Sequence, residues 1–573
     1  MFLAAGSYFS SHRLFIIALL GIAVVALSVR LYGLTTIGVG GNDTILYYTL
    51  AEHWLKGDFV FKIGDSIQVF RPVLLAFNAL ALKVFGHSDY AIKLANTLLD
   101  VINLLLLSLL AWLISRRYAV VLASAVTYAF LPIAIWSARQ ELPHTSSAFF
   151  ILSAYLFIWL ATSGKFRLAY TFLAGLCVGA AALTHEELIF LAAPLALFLL
   201  FAPRFQGGAD TLASGCRRLA VFSAAPVVAI AIVMYLESAV VQSVISGSIS
   251  SASNSERFYP EVFGRFLWDG IVGSTSAALA ISLMLCMGYF CWQLKPGLRK
   301  SDLPFTLWVG FCVLTPIGFV ALYAVFFNAL FPRGFLPLTP LLIVAVYYCV
   351  ARITEGGSNF FSGITIAVLV VLIALSNLAS FSAFNVANRR FSSAWAEPVW
   401  PTSAGLKQGY GEFIVDAKYV PSYATHWRAI FYAFDGKVDV HHKLLLMPST
   451  IIYAPGRRAL QTDVYFGDNA VYRLDHTQQT LDEIVRDSEI KWIVLTLGQL
   501  RTAPPRLGRY LYNGEWAESG PLDLAHAYGM DSYSEKAEFK ALLRYLRVVG
   551  ATEVFPYPRG SFEARVSRAW LLP

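Results

Sequence analysis

The sequence predicts a polytopic α-helical membrane protein of about eleven transmembrane helices with a soluble α/β domain at its C-terminus. Three observations lead there. Of 573 residues, 57% are apolar and only 14% are charged, too hydrophobic a balance for a water-soluble chain of ordinary composition. The apolar residues fall in runs of roughly 18 to 25, each long enough to cross about 30 Å of hydrocarbon as a helix. From residue 384 the runs shorten and charge, Pro and Gly return, as expected of a water-facing domain.

The first run, Leu14–Leu31, is too long for a signal-peptide core and is followed by no small-residue cleavage site, so it reads as a span that stays in place. Spans are expected at 13–33, 91–114, 118–137, 145–163, 168–184, 187–203, 219–241, 268–293, 304–328, 335–351 and 361–383. The loops on one side carry Arg116 and Arg117, Lys165 and Arg167, Arg204 with Arg217 and Arg218, Lys295 with Arg299 and Lys300, and Arg352. By the positive-inside rule that side is the cytoplasm. The extracytoplasmic side then receives the segment 34–90, the turns around Arg139, at 184–187 and at 331–334, the Ser-rich loop 242–267 and, with an odd span count, the C-terminal domain. Pro72–Phe85 is apolar but short; as a crossing it would flip every later basic pair outward, so it is expected as a helix lying along the outer surface. The resulting division is a membrane module, 1–383, and a soluble domain, 384–573. In the latter, "GEFIVDAKYV", "STIIYAP" and "KWIVLTL" read as strands, and "QTLDEIVRDS" and "SEKAEFKALLRYLRVVG" as helices.

Several classes are set aside by composition. The six cysteines show no CxxC spacing, and all but Cys216 lie in apolar runs, so neither a disulfide framework nor a zinc site is signalled. The net charge of +8 comes from residues scattered at span ends rather than from a basic stripe with aromatics, which argues for topology and against a nucleic-acid partner.

The candidate chemistry gathers outside. Asp43 stands in Gly40-Gly41-Asn42-Asp43-Thr44, a turn leading into a helical stretch. Asp in that position is an N-cap by default, and Asn42-Asp43-Thr44 also fits a glycosylation sequon. "RLYGL" at 30–34, then Asp43, Tyr47, Ala51 and "KGD" at 56–58 resemble the first extracytoplasmic loop of the C-type (GT-C) glycosyltransferases. The protein O-mannosyltransferases and the bacterial lipid A aminoarabinose transferases are the nearest in pattern. The resemblance implies that Asp43 is a catalytic base, with Thr44 in the place of the usual Glu. A register shifted by one would put Asn42 there, but Tyr47 and Ala51 favour Asp43.

The resemblance runs on through the membrane part. "RPVLLAFNALALKVFGHSDYAIKLAN" resembles the family's surface helix ending in Phe-Gly, followed by a basic residue in the next span. "SARQELPHTSSAFF" at 137–150 resembles the second loop, with Arg139 and Phe149-Phe150 in place. His144 stands where the family has an acid, so either His144 or Glu141 takes that role. "GLCVGAAALTHEELIFLAAP" ends in His185, Glu186 and Glu187, either a solvated turn or, with His144, a cluster that polarises substrate or holds a divalent metal ion. Arg333, before a Pro-rich span, is either a snorkelling anchor or a cation for a lipid phosphate. The loop 242–267 is either a connector or a lid in which Arg257, Phe258 and Tyr259 close over a lipid head group.

What the resemblance implies is a glycosyltransferase of the plasma (inner) membrane. It would take a polyprenyl-phosphate sugar from among the membrane lipids and pass the sugar to a protein, lipid or glycan acceptor on the extracytoplasmic side. Asp43, His144 and Glu141 would be the catalytic candidates; Tyr47, Arg139, His185, Glu186, Arg257, Tyr259 and Arg333 would be the binding ones. The alternatives are a flippase for lipid-linked sugars, which needs polar groups at mid-membrane depth, and a glycan polymerase or ligase using a lipid-diphosphate donor.

Overall fold

The computed structural model describes residues 2–31, 34, 42–61, 70–86, 90–163, 167–205, 212–236, 277–293, 303–326, 332–354, 363–375, 442–447, 451–453, 490–496, 546–554 and 567–573. Contacts divide the chain into two units. One comprises Met1–Tyr32, Gln68–Phe77 and Lys93–Ala379; the other comprises Gly33–Ile67, Asn78–Ile92 and Ser380–Pro573.

The first unit is helical. Its elements are α1 (Phe2–Leu31), α4 (Ala91–Ser115), α5 (Tyr118–Ala129), α6 (Pro132–Ala138), α7 (His144–Ser163), α8 (Arg167–Thr184), a 3₁₀ turn (Glu186–Leu191), α9 (Ala192–Phe205), α10 (Leu212–Leu236), α11 (Ala277–Gln293), α12 (Leu303–Phe326), a second 3₁₀ turn (Pro332–Phe335), α13 (Thr339–Ile353) and α14 (Gly363–Leu375). Helix α2 (Asn42–Leu55) belongs to the other unit, and the boundary passes through α3 (Pro72–Phe85). Every expected span falls at least partly on a described helix. Four helical segments, His12–Leu31, Ala91–Ser115, His144–Thr162 and Arg167–Thr184, are long and apolar enough to cross a membrane. The chain is a polytopic α-helical integral membrane protein.

Two expectations about the spans are corrected. The segment 118–137 is not one helix: α5 stops at Ala129 and α6 begins at Pro132. Proline has no amide hydrogen to continue the ladder and pushes the residue before it out of the helical region, and Leu131 accordingly sits at φ −71°, ψ 116°. The segment 187–203 opens as a 3₁₀ turn and becomes α-helical only at Ala192. Close approach elsewhere uses small residues: a Cβ on Gly175 of α8 would collide with the Phe222 carbonyl oxygen of α10, so those two backbones touch.

The helical unit has two ends with different contents. At one, the start of α4, the α6–α7 connection, the turn after α8 and the 3₁₀ turn Pro332–Phe335 lie together, the last packed against α6. At the other, Arg116 (φ 55°) turns the chain from α4 into α5, and Arg117 Nη1 donates to the Ala351 carbonyl near the end of α13 at 3.1 Å.

In the second unit, β1 (Lys443–Met447), β2 (Ile451–Tyr453), β3 (Ile490–Thr496), β4 (Thr552–Val554) and β5 (Ser567–Leu571) form one sheet in the order β2-β1-β3-β5-β4. Strands β1 and β3 are parallel and the other pairs antiparallel. The strands read in "STIIYAP" and "KWIVLTL" are β2 and β3; "GEFIVDAKYV" and "QTLDEIVRDS" lie outside the described residues. The end of the other expected helix is visible at 546–548. There Ala551 N–H donates to the Leu546 carbonyl at 3.0 Å, and Gly550 (φ 70°) takes the left-handed position that closes a helix. A helix end thus feeds directly into β4.

Candidate active site

The site is built on a polar stripe of α4. Lys93, Asn96, Thr97, Asp100 and Asn103 recur three and four residues apart, which puts them on one face of a helix, and all five are fully buried. A polar group in such surroundings is costly unless bonded. The Lys93 Nζ lies 3.0 Å from Glu141 Oε1. Asn96 Nδ2 donates to the Gln140 carbonyl at 2.7 Å, Thr97 Oγ1 to that of Ala138 at 3.2 Å and Asn103 Nδ2 to that of Thr145 at 3.0 Å. Asp100 ties the helix to α1 and α5: it accepts from Arg30 Nε at 2.5 Å and from the Tyr128 hydroxyl at 2.6 Å. Arg30 Nη1 donates in turn to the Ala129 carbonyl at 2.9 Å, at the end of α5.

The stripe therefore holds the connection between α6 and α7, and that connection carries Arg139, Glu141 and His144, which are 3%, 1% and 4% exposed. Burial strips water from the Arg139 guanidinium and pulls its pKa well below the ordinary arginine value. The His144 ring lies 5.4 Å from that of His185, centroid to centroid, tilted by 43°. His185 Nδ1 is 3.5 Å from Glu187 Oε2. Next to it Glu186 takes two bonds from Arg71, each 2.7 Å long, from Nε and Nη2. Burial works to raise the Glu186 pKa, but the paired guanidinium outweighs it and, with His185 adding to the effect, holds the carboxyl at about 2.

The residues expected at one surface are thus brought together in part. Arg139, Glu141, His144, His185, Glu186 and Glu187 share one end of the helical unit, joined there by Arg71 and Lys93. Arg333 lies in the 3₁₀ turn that packs on α6, its side chain being outside the described residues. Arg257 and Tyr259 are outside them altogether, as is the loop 242–267. Asp43 falls in the first turn of α2, its side chain likewise outside the description, and Tyr47 of the same helix is buried. Among the described residues no three His, Cys, Asp or Glu side chains converge in a way that would hold a metal ion. The "KGD" of the first loop has a local structural role: Gly57 (φ 87°) closes α2, with Asp58 N–H donating to the His53 carbonyl at 3.0 Å. Asp58 Oδ2 is also 2.8 Å from His53 Nδ1.

Residues 71–235 match the family model for dolichyl-phosphate-mannose-protein mannosyltransferases. That stretch of the chain is mannosyltransferase-like. It includes every residue of the described cluster from Arg71 to Glu187, and excludes Asp43, Tyr47, Arg257, Tyr259 and Arg333. No curated protein matches the chain. Among solved structures, the apo oligosaccharyltransferase of Archaeoglobus fulgidus aligns with 89% of this chain and 72% of its own at 13% identity and a TM-score of 0.45. The Archaeoglobus fulgidus enzyme AglB in complex with an inhibitory peptide and a dolichol-phosphate aligns at 14% identity over 90% and 72%, with a TM-score of 0.44. ArnT from Cupriavidus metallidurans bound to undecaprenyl phosphate aligns at 13% over 83% and 92%, with a TM-score of 0.48. The likeness to the mannosyltransferase family is thus carried by residues 71–235.

Two contributors escaped the sequence reading. One is the pairing of Arg30 with Asp100, 70 positions apart; the other is the bridge from Arg71 to Glu186. The stripe of α4 carried a usable signal, since polar residues at 93, 96, 97, 100 and 103 interrupt an otherwise apolar run with helical period.

Proposed function

We propose that this protein transfers a sugar from a polyprenyl-phosphate donor to a protein, lipid or glycan acceptor at the extracytoplasmic face of the membrane. The observation that carries the reading is the cluster of Arg71, Lys93, Arg139, Glu141, His144, His185 and Glu186 at one end of the helical unit, inside the mannosyltransferase-like segment. Arg116, Arg117 and Arg352 belong to the opposite end, which supports placing that end in the cytoplasm.

In this reading the lipid enters from the bilayer with its phosphate near Arg139 and Arg333, and Arg257 and Tyr259 of the loop 242–267 cover the head group. An anionic group beside Arg139 offsets the cost of burying that guanidinium. The resemblance assigns Tyr47, His185 and Glu186 to substrate binding. Asp43 takes the proton of the acceptor hydroxyl as its oxygen attacks the anomeric carbon; the bond to the phosphate oxygen breaks on the opposite face, so configuration inverts. The electron pair leaves with the phosphate, and fixed cations stabilise the charge that develops there. Either His144 or Glu141 takes the role of the family's second acid, positioning donor or acceptor.

Asp43→Asn tests the assignment. Loss of a general base costs roughly two to four orders of magnitude in rate, so transfer from a polyprenyl-phosphate sugar in purified membranes is expected to fall by that much while donor binding persists. Full turnover in Asp43→Asn would move the base to another residue, Glu141 first. Movement of the lipid across the bilayer without formation of a glycosidic bond would replace the transferase reading by that of a flippase.

A further inference from the structure

We infer that Asn96, Thr97 and Asn103 are positioning residues for this transfer, acting through the α6–α7 connection; the inference rests on the proposed function. The three side chains donate to the carbonyls of Gln140, Ala138 and Thr145. The anchored carbonyls alternate with or bracket the positions whose side chains carry the chemistry: 138 and 140 flank Arg139, and 140 and 145 enclose Glu141 and His144. Neutral amides and a hydroxyl do this work, so these three bonds add no charge of their own beside the connection. Their own helix is fixed in turn, because Asp100, between Thr97 and Asn103 on the same face, is tied to Arg30 of α1 and Tyr128 of α5. The segment also has local bonds: the Pro143 carbonyl accepts from Ser147 N–H at 2.8 Å and from Ser146 Oγ at 3.0 Å. Arg139 and Gln140 N–H donate back to Trp136 and Ser137 carbonyls at 3.1 and 3.3 Å, which closes α6. No regular helix begins again until His144.

The test pairs Thr97→Val, which keeps the shape and removes the donor, with Thr97→Ser, which restores it. Asn96→Leu serves as a second removal at a neighbouring anchor. Two readouts are taken on full-length protein in detergent micelles or nanodiscs: steady-state transfer with a polyprenyl-phosphate sugar, and hydrogen exchange of peptides covering 138–147. One hydrogen bond corresponds to about a tenfold change. Thr97→Val and Asn96→Leu are each expected to lower kcat about tenfold with KM for the donor within about twofold. Exchange in 138–147 should rise by a similar factor while peptides of α7 beyond residue 147 and of α8 are unchanged, and Thr97→Ser should recover both. Faster exchange with unchanged kcat would overturn the positioning role and leave a structural one; unchanged exchange would overturn the anchorage itself. A wild-type protein without transfer activity would overturn the proposed function instead, and the exchange readings would still decide whether α4 holds the connection.

Discussion

The two segments that meet through His144 and His185 are held in opposite ways. The α6–α7 connection is gripped from a buried helix face by Lys93, Asn96, Thr97 and Asn103. The turn 186–191 is held to the chain before α3 by Arg71 and Glu186, whose carboxylate side chain is 48% exposed. Inside the bundle, water is absent as a competitor, so each bond is strong in place and costly to leave unmade. At the surface, water and salt compete with the ion pair, and its net worth is small. The contrast teaches that one wall of the candidate site is rigid by burial while the other is adjustable by solvent conditions.

Breaking the buried side should have the largest effect. Lys93→Met leaves Glu141 buried without its cation, at an expected cost of about 3–5 kcal/mol. The double variant Lys93→Met/Glu141→Leu should regain most of that, because an apolar pair of similar volume removes the uncompensated charge. Thermal unfolding in detergent checks both; equal losses in the single and double variants would show that the charges are not coupled. Tyr128→Phe is milder: it deletes one donor to Asp100, which keeps Arg30, and about 1–3 kcal/mol is expected.

The exposed side should respond least. Glu186→Gln is expected to cost under about 1 kcal/mol, and 1 M salt should erase most of the difference from wild type. Its pH dependence has a definite sign. The folded carboxyl at about 2 lies below the unfolded value near 4.3, so the folded state binds this proton less readily than the unfolded state. The contribution of the pair is complete at neutral pH and fades as pH falls through about 4 towards 2. Acid titration of wild type against Glu186→Gln, followed by exchange of peptides covering 185–191, should show curves converging in that window. A constant gap between them would remove the ion pair from the account.

Much of this was legible in the sequence. Apolar runs located the helices, because a membrane allows few ways to satisfy a backbone, and sidedness grouped Arg139, His144, His185 and Glu186 before any coordinates. The break at Leu131–Pro132 was hidden by the apolar residues on both sides, although proline announced it. The ion pairs were hidden for a different reason: which residue of α1 meets which residue of α4 depends on helix rotation and axial shift, and hydropathy constrains neither closely. For the same reason the resemblance could single out Arg139 and not the three side chains of α4 that hold the carbonyls of Ala138, Gln140 and Thr145.

The interrupted helix carries one more consequence. Where α5 stops, the Ala129 carbonyl has lost its place in a helical ladder, and an arginine 99 positions earlier in the chain answers it. The helix break before Pro132 and Arg30 thus form one structural unit. In related chains a continuous helix at 128–134 should coincide with loss of the arginine and of Asp100, and the three positions should change together rather than one at a time.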